Sequence, residues 1–548
     1  MKTIKKYSLL SLITVAGLFL LSACNDKLEQ NPRSQFASET FWTNEGNAQI
    51  ALAGVYRGNI KYGAAEVVPT DWWTYGGLIL LEHATDNAYD RRGANAPQNQ
   101  LTNGALLPNN PVLLGYWSSS YVRIAICNNF LENIDRVTMN EDRKKRMKAE
   151  VRFIRASQYF YLSQHFGSVP LVKNSLKPKE ANNVTKTPKA EIIKYVIDEY
   201  NACTADLPRY KDIPSSEFGR ASKQANLAFL GRILLSEKRF EEAAAVYKQI
   251  IDFGDNIIDP NYESIFNTTN KMSKENIFTT QYSGGLAGNF LGQHGFPANK
   301  TGWHLINPLE SLASQYDFTD GSTFSYSDPR FLQSNMGANR DPRFAASFLY
   351  DKATFGGNIY DCHPDRASSI DQLTYSKQAT RTGYGLRKFL TESFTGDLKE
   401  GYGGNVPVIR YAEVLLSYLE AKMEAGQAID QALLDQTINR TRRRPSVNMP
   451  AITVTNAAAL RPILRKERRI ELALEGIRFW DLLRWGTLGD VMQGDFWGAS
   501  FKNAINFGRK VDPNGNKRWW VDTKAFKKGM HEVWPIPQVE QDINPNLR

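Results

Sequence analysis

Glu467, Glu471 and Glu475 are the acids in this chain best spaced to act together. Positions i, i+4 and i+8 share one stripe of a helix. Paired carboxylates can serve as general acid and base, but a glycosidase pair must flank a scissile bond at a set separation. Here the acids alternate with arginines along Arg465-Lys466-Glu467-Arg468-Arg469-Ile470-Glu471, and Arg468 and Arg478 each lie three residues from an acid of the stripe. The pattern predicts a structural ion-pair network, not a catalytic centre. No nucleophile elbow, metal-ligand motif or phosphate loop is present in the sequence, and its six histidines form no pair at ligand spacing. Neither a cofactor nor a metal is expected.

A second chemical feature lies at the N-terminus. Lys2, Lys5 and Lys6 precede an apolar run from Leu9 to Leu21, and small residues then lead into Cys24. Basic head, apolar core and small-residue cleavage site are the parts of a secretion signal. Leu21-Ser22-Ala23-Cys24 also resembles the lipobox of bacterial lipoproteins, which implies removal of residues 1–23 and acylation of the Cys24 sulfur. Acyl chains buried at ~0.8 kcal/mol per CH₂ would hold such a chain on a membrane. Residues 24–40, polar and containing Pro32, read as the tether. No later apolar run approaches the ~20 residues of a membrane span.

Composition narrows the remaining options. The net charge of +10 includes three leader lysines, and the other basic residues are interleaved with acids. The one dense cluster, Arg440 to Arg444, has no nucleic-acid-reading motif around it, so no nucleic-acid partner is expected. Cys127, Cys203 and Cys362 are odd in number and give no disulfide framework, and Cys127 and Cys203, in helical patterns, read as small buried side chains.

The elements that must position any site are mostly helical. Ala48, Ala51, Leu52 and Val55 fall on one helix face. An apolar stretch from Leu78 to His83 runs into Asp86 and Asn87, which read as capping residues, and 90–111 is a long Gly-, Asn- and Pro-rich loop. Helices are predicted over 116–134, 140–166 and 189–207. Ser222 to Asp252 has small residues, a turn at Lys238-Arg239-Phe240 and an Ala-rich amphipathic helix, the pattern of a tetratricopeptide-like hairpin. A second hairpin is predicted from Tyr411 to Arg442, with Gly426 near its turn. Residues 256–405 lack helical periodicity and are rich in Gly, Asn, Ser, Asp and aromatics. The predicted fold is mainly α: a scaffold of tetratricopeptide-like helical hairpins carrying a large irregular, loop-rich lobe, with a helical region at 41–255 and a second region at 256–548.

The segment from Arg465 through Glu475-Gly476-Ile477-Arg478-Phe479-Trp480-Asp481-Leu482-Leu483-Arg484-Trp485 closely resembles the signature helix of the SusD/RagB family of outer-membrane lipoproteins. Phe41-Trp42 with Ala51 to Tyr56, Arg155-Ala156 through His165-Phe166-Gly167 to Val172, Arg220 to Lys223, Ile409 to Leu416, and Trp534-Pro535-Ile536-Pro537 with Asn544 to Leu547 resemble other family blocks in the same order. The resemblance implies a SusD-like fold. It also implies a non-enzymatic, cell-surface glycan-binding protein that caps a SusC-like TonB-dependent transporter and passes oligosaccharides to it. A peptide-binding relative and a lipid-anchored glycoside hydrolase are the competing expectations; a repeat scaffold that binds only proteins is a further one.

For a sugar ligand, exposed aromatic planes should stand beside Asn, Gln, Asp or Arg groups, so that ring stacking and hydrogen bonding act together. Two stretches qualify. The first is Trp72, Trp73 and Tyr75 with the following loop, which carries Arg91 and Asn99. The second runs from Tyr282 through Asn289 and Phe296 to Trp303 and His304. Trp117, Trp480 and Trp485 lie in helical patterns and are expected in the core or against the transporter. Replacing Trp303, or Trp72 with Trp73, by alanine is expected to weaken glycan binding and leave the fold intact.

Overall fold

The computed structural model describes residues 41–376, 378–505 and 508–548. The leader, Cys24 and the tether lie outside the described residues. Helix α1 (Glu45–Arg57) starts where the Asn44 side chain accepts a hydrogen bond from the Asn47 N–H, a cap that satisfies one of the first-turn donors. Asn110 and Asn140 cap α2 (Pro111–Asn133) and α3 (Glu141–His165) in the same way. Helix α4 (Lys189–Cys203) packs along α3, four residues shorter than its apolar pattern suggested.

The hairpin predicted from Ser222 to Asp252 forms as α5 (Lys223–Ser236) and α6 (Phe240–Phe253). A β-carbon at Gly231 would fall 2.4 Å from the Tyr247 ring, so the close approach of the two helices requires glycine there. Helix α7 (Tyr411–Glu424) packs on α6, and α8 (Ala457–Glu471) packs on α7, so a helical layer formed late in sequence continues the earlier stack. The return arm of the second expected hairpin differs from expectation. After Gly426 (φ 70°) it breaks at Thr437 into two short helices, 431–436 and 438–442. Helix α9 (Arg478–Arg484) follows α8.

The irregular lobe hangs on short antiparallel ladders. β1 (Ala88–Asp90) pairs with β3 (Ile306–Pro308), and β2 (Asn276–Thr280) pairs with β4 (Val406–Arg410), which runs directly into α7. β5 (Gln493–Ser500) and β6 (Arg518–Ala525) form a longer ladder interrupted by two bulges. A continuous hydrophobic core runs through both the helical layers and the lobe.

Asp86 and Asn87 do not cap a helix. The 78–83 stretch is a 3₁₀ turn (Ile79–Ala84), and the buried Asp86 carboxylate instead takes Arg469 at 2.9 Å and Arg478 at 2.8 Å. Burial alone would raise the Asp86 pKa, but these two guanidiniums hold it down to about 2. Asn87 Oδ1 accepts from Arg469 Nε at 2.8 Å.

Candidate binding surface

Most residues nominated from sequence serve the core. Trp72 stacks between Tyr116 and Tyr161 and donates its indole N–H to Ser120 Oγ at 2.8 Å. Trp73 packs under the Arg123 guanidinium and donates to Tyr161 Oη. Both rings are at most 2% exposed, so neither faces a ligand. Two large rings at adjacent positions can both be buried because residues 71–78 form tight turns, not a strand that would send alternate side chains outward. Tyr75 is buried against His294, its hydroxyl accepting from the Glu66 N–H. Asn99 folds the 90–99 loop on itself through the carbonyls of Asp90 and Gly93. Tyr282 lies buried beneath Tyr62, Asn289 donates to the Gly404 carbonyl, and Phe296 packs between Phe355 and Tyr402. His304 is sealed against Tyr360, and burial with the nearby Arg91 charge drives its pKa down to about 3. These eight residues are structural.

Two nominees remain at the surface, and the fold brings their stretches together. The β1–β3 ladder aligns Tyr89 with Asn307, and the Arg91 N–H continues it by donating to the Leu305 carbonyl at 3.1 Å. Half-buried Trp303 precedes that carbonyl by two residues. Thr301 (φ 64°) and His304 (φ 49°) sit in the left-handed region, a conformation costing of order 1 kcal/mol for non-glycine residues. The kinked run sends His304 inward while Trp303 stays partly exposed against Phe290 and His294.

The rest of the surface was not singled out from sequence. Trp497 and Trp520 are cross-strand partners on β5 and β6, and both are half-exposed. Tyr375 stacks on the buried Trp519 at 4.9 Å and donates its hydroxyl to the Trp520 carbonyl at 2.6 Å. Tyr89 joins this ladder to β1 through its hydroxyl, which donates to Asp522 Oδ2 at 3.1 Å. Arg381 is pinned on the same side, its N–H donating to Asn307 Oδ1 at 2.9 Å. The Arg518-Trp519-Trp520 run carried a legible signal. In a half-buried strand adjacent residues face opposite ways, so one of two neighbouring tryptophans must turn outward.

The glutamate stripe has the opposite character. Glu467 takes Arg343 at 2.6 Å and Arg442 at 2.8 Å; Glu471 takes Arg444 at 2.7 Å, Arg343 at 2.9 Å and Arg410 at 3.2 Å; Glu475 takes Arg410 and Lys388, each at 2.7 Å. All these groups are buried. Burial would raise the Glu467 and Glu471 pKa values, but the surrounding arginines hold both below the ordinary carboxylate range. The expected network is present, with different partners: Arg468 pairs with Asp481 and Arg478 with Asp86, while the stripe is neutralised from distant segments. Trp117 and Trp480 are buried as expected, and half-buried Trp485 donates to Glu420 at 2.7 Å. Among the described residues no group of three or more His, Cys, Asp or Glu side chains is arranged to hold a metal ion.

The sequence model of the SusD family matches residues 262–548 of this chain, and a second, described as starch-binding associating with outer membrane, matches residues 71–235. The chain belongs to the SusD/RagB family. A crystal structure of a SusD-like carbohydrate binding protein from Bacteroides fragilis superposes with a TM-score of 0.91 at 47% identity, covering 93% of this chain and 100% of that one. SusD-like protein P2 of Formosa agariphila is 24% identical over 88% of this chain and 90% of its own length. The starch-binding protein SusD of Bacteroides thetaiotaomicron is 25% identical over 76% of this chain and 78% of its own. The helical stack with a loop-rich lobe is therefore the SusD-like fold, and the buried glutamate network lies within this chain's SusD signature segment.

Proposed function

We propose that this SusD-like chain is a non-catalytic glycan-binding lipoprotein of the outer membrane. In this reading Cys24 carries the lipid anchor, and the protein acts as the lid of a SusC-like TonB-dependent transporter to which it hands oligosaccharides. The observation that carries the glycan reading is the half-exposed ring cluster of Trp497, Trp520 and Tyr375 with Arg381 acting on Tyr375, together with half-exposed Trp303 two residues before the carbonyl that accepts from the Arg91 N–H. Aromatic planes flanked by fixed hydrogen-bond donors suit a sugar's C–H faces and its rim of hydroxyls. The relative that is 47% identical, a carbohydrate binding protein by description, supports the same ligand class.

A hydrolytic role finds little support. Burial raises the carboxyls of Glu66 and Glu82 to about 7, a range suited to a general acid, yet both are at most 2% exposed. A polymer cannot reach them. Glu82 accepts a hydrogen bond from the Gly476 N–H at 2.7 Å and so positions the signature segment.

Two experiments test the proposal. Incubating the chain with oligosaccharides should yield binding without new products in chromatography; cleavage would transfer the chain to the hydrolase reading. Purification of the acylated protein from outer membranes should bring a β-barrel partner with it, and Cys24→Ala should abolish membrane retention.

A further inference from the structure

Arg91 and Arg381 stand apart from the other arginines of this protein. Both are half-buried, and the Nε of each is buried without a hydrogen-bond partner among the described residues, as it is in Arg155, Arg387 and Arg444, each of which has a glutamate within 4 Å. Neither has a carboxylate within 4 Å among those residues, whereas buried Arg340, which also lacks one, donates to the carbonyls of Tyr316 and Ala313. An unmade buried hydrogen bond costs about 1–3 kcal/mol, more for a charged group, so native surfaces rarely leave one without a use.

The two guanidiniums share a neighbourhood. Their backbones are tied to residues 305 and 307 of a single extended run, ~7 Å apart at strand spacing. Arg381 acts electrostatically on Arg91, on Tyr89 and on Tyr375. The nearby acids are already engaged. Asp90 is held by Arg92 through bonds of 3.0 and 2.7 Å, and Asp522 accepts from Tyr89 at 3.1 Å and from the Thr523 N–H at 2.8 Å. A third guanidinium, Arg509, lies 4.4 Å over the Tyr375 ring and has no ion-pair partner among the described residues. On the ladder, Asp495 accepts from the Trp520 indole at 3.1 Å and pairs with Lys510 at 2.6 Å, so Arg91, Arg381 and Arg509 border the rings without an ion-pair partner among the described residues.

We infer that the ligand of this surface is an anionic glycan, with a sugar carboxylate or sulfate ester seated between Arg91 and Arg381 while a neighbouring ring stacks on Trp520. The inference rests on the glycan-binding reading above and narrows it. Guanidinium matches the planar oxygens of a carboxylate or the oxyanion face of a sulfate by paired N–H donation, and such charge-assisted bonds are roughly twice as strong as neutral ones. A neutral sugar would leave both charges uncompensated.

The test titrates the chain from Asn25 onward, by calorimetry, with oligogalacturonate as the carboxylate probe, κ-carrageenan oligosaccharide as the sulfate probe, and laminarihexaose and maltoheptaose as neutral probes. At least one anionic probe should bind ten-fold or more tightly than either neutral one. That advantage should shrink as salt rises from 50 to 500 mM. Arg91→Ala with Arg381→Ala should remove the advantage and leave the melting temperature unchanged; whichever anionic probe responds identifies the group. An anionic advantage that survives in the double variant, or no binding of either anionic probe, overturns the inference. Trp520→Ala separates the two levels. If neutral probes bind and this variant weakens them, the glycan reading stands without its anionic refinement. If no probe binds, or binding ignores Trp520, the reading beneath falls as well.

Discussion

Arginines do opposite work in two regions of this molecule. Around α8, buried Arg343, Arg410, Arg442 and Arg444 are matched by Glu467, Glu471, Glu475 and Glu275, joining segments up to about two hundred residues apart. At the rim of the β5–β6 ladder, Arg91, Arg381 and Arg509 have no such partner among the described residues. Desolvation explains the first pattern, because a buried charge persists only when paired and hydrogen-bonded. The second pattern is tolerable only at a surface where water or a ligand can supply the missing acceptor. Paired arginines thus belong to the frame, whereas Arg91 and Arg381, which lack both a carboxylate within 4 Å and a partner for Nε among the described residues, border the proposed binding surface.

That contrast can be broken from either side. The largest effect is expected from Glu471→Gln, which strips three guanidiniums of their shared acceptor. Denaturant titration should show a loss of about 3–5 kcal/mol, or failure to fold. Trp72→Ala should cost a similar ~3–5 kcal/mol by opening a cavity in the ring stack, as a core truncation and not as a binding defect.

Asp86 gives a smaller effect with a defined pH signature. Its folded pKa of about 2 lies below the ordinary unfolded value of ~3.9, so its ion pairs stabilise the fold fully above pH ~4. That stability is lost as pH falls toward 2. Asp86→Asn should therefore be about 2–3 kcal/mol less stable than wild type at pH 6, with the gap closing as the two are compared at pH 3 and below. A constant gap would show that packing, not charge, holds this residue. The smallest stability effect belongs to Trp520→Ala. Its melting temperature should stay within a degree or two of wild type while glycan affinity falls about ten-fold, the size of one lost ring stack.

The sequence carried the helices of the frame because their periodicity is local, although its one capping expectation, at Asp86 and Asn87, did not hold. The hairpin at 222–252 folds as its small residues and turn imply, with Ser222 capping its first helix. The acid stripe was legible as structural, but its partners were not, since Arg343 and Arg410 reach it only through tertiary folding. Burial was the main unreadable quantity at the site. Trp72, Tyr75, Tyr282, Phe296 and His304 have the residue types of a sugar site, and the fold spends them on packing. Trp303 and Arg91 kept their exposure because the β1–β3 ladder and the left-handed turns at Thr301 and His304 turn them outward. Arg381, Tyr375 and Trp520 come from segments far apart in the chain, and no spacing rule joins them.

The central claim is that the half-exposed rings at the β5–β6 ladder bind glycan while the frame carries stability. Its most direct test is a glycan array probed side by side with the wild-type chain from Asn25 onward and with Trp520→Ala at equal melting temperature. The account predicts a defined set of oligosaccharides bound by wild type, with every signal in that set reduced about ten-fold in the variant. An empty array for wild type, or an identical pattern for both proteins, would contradict it.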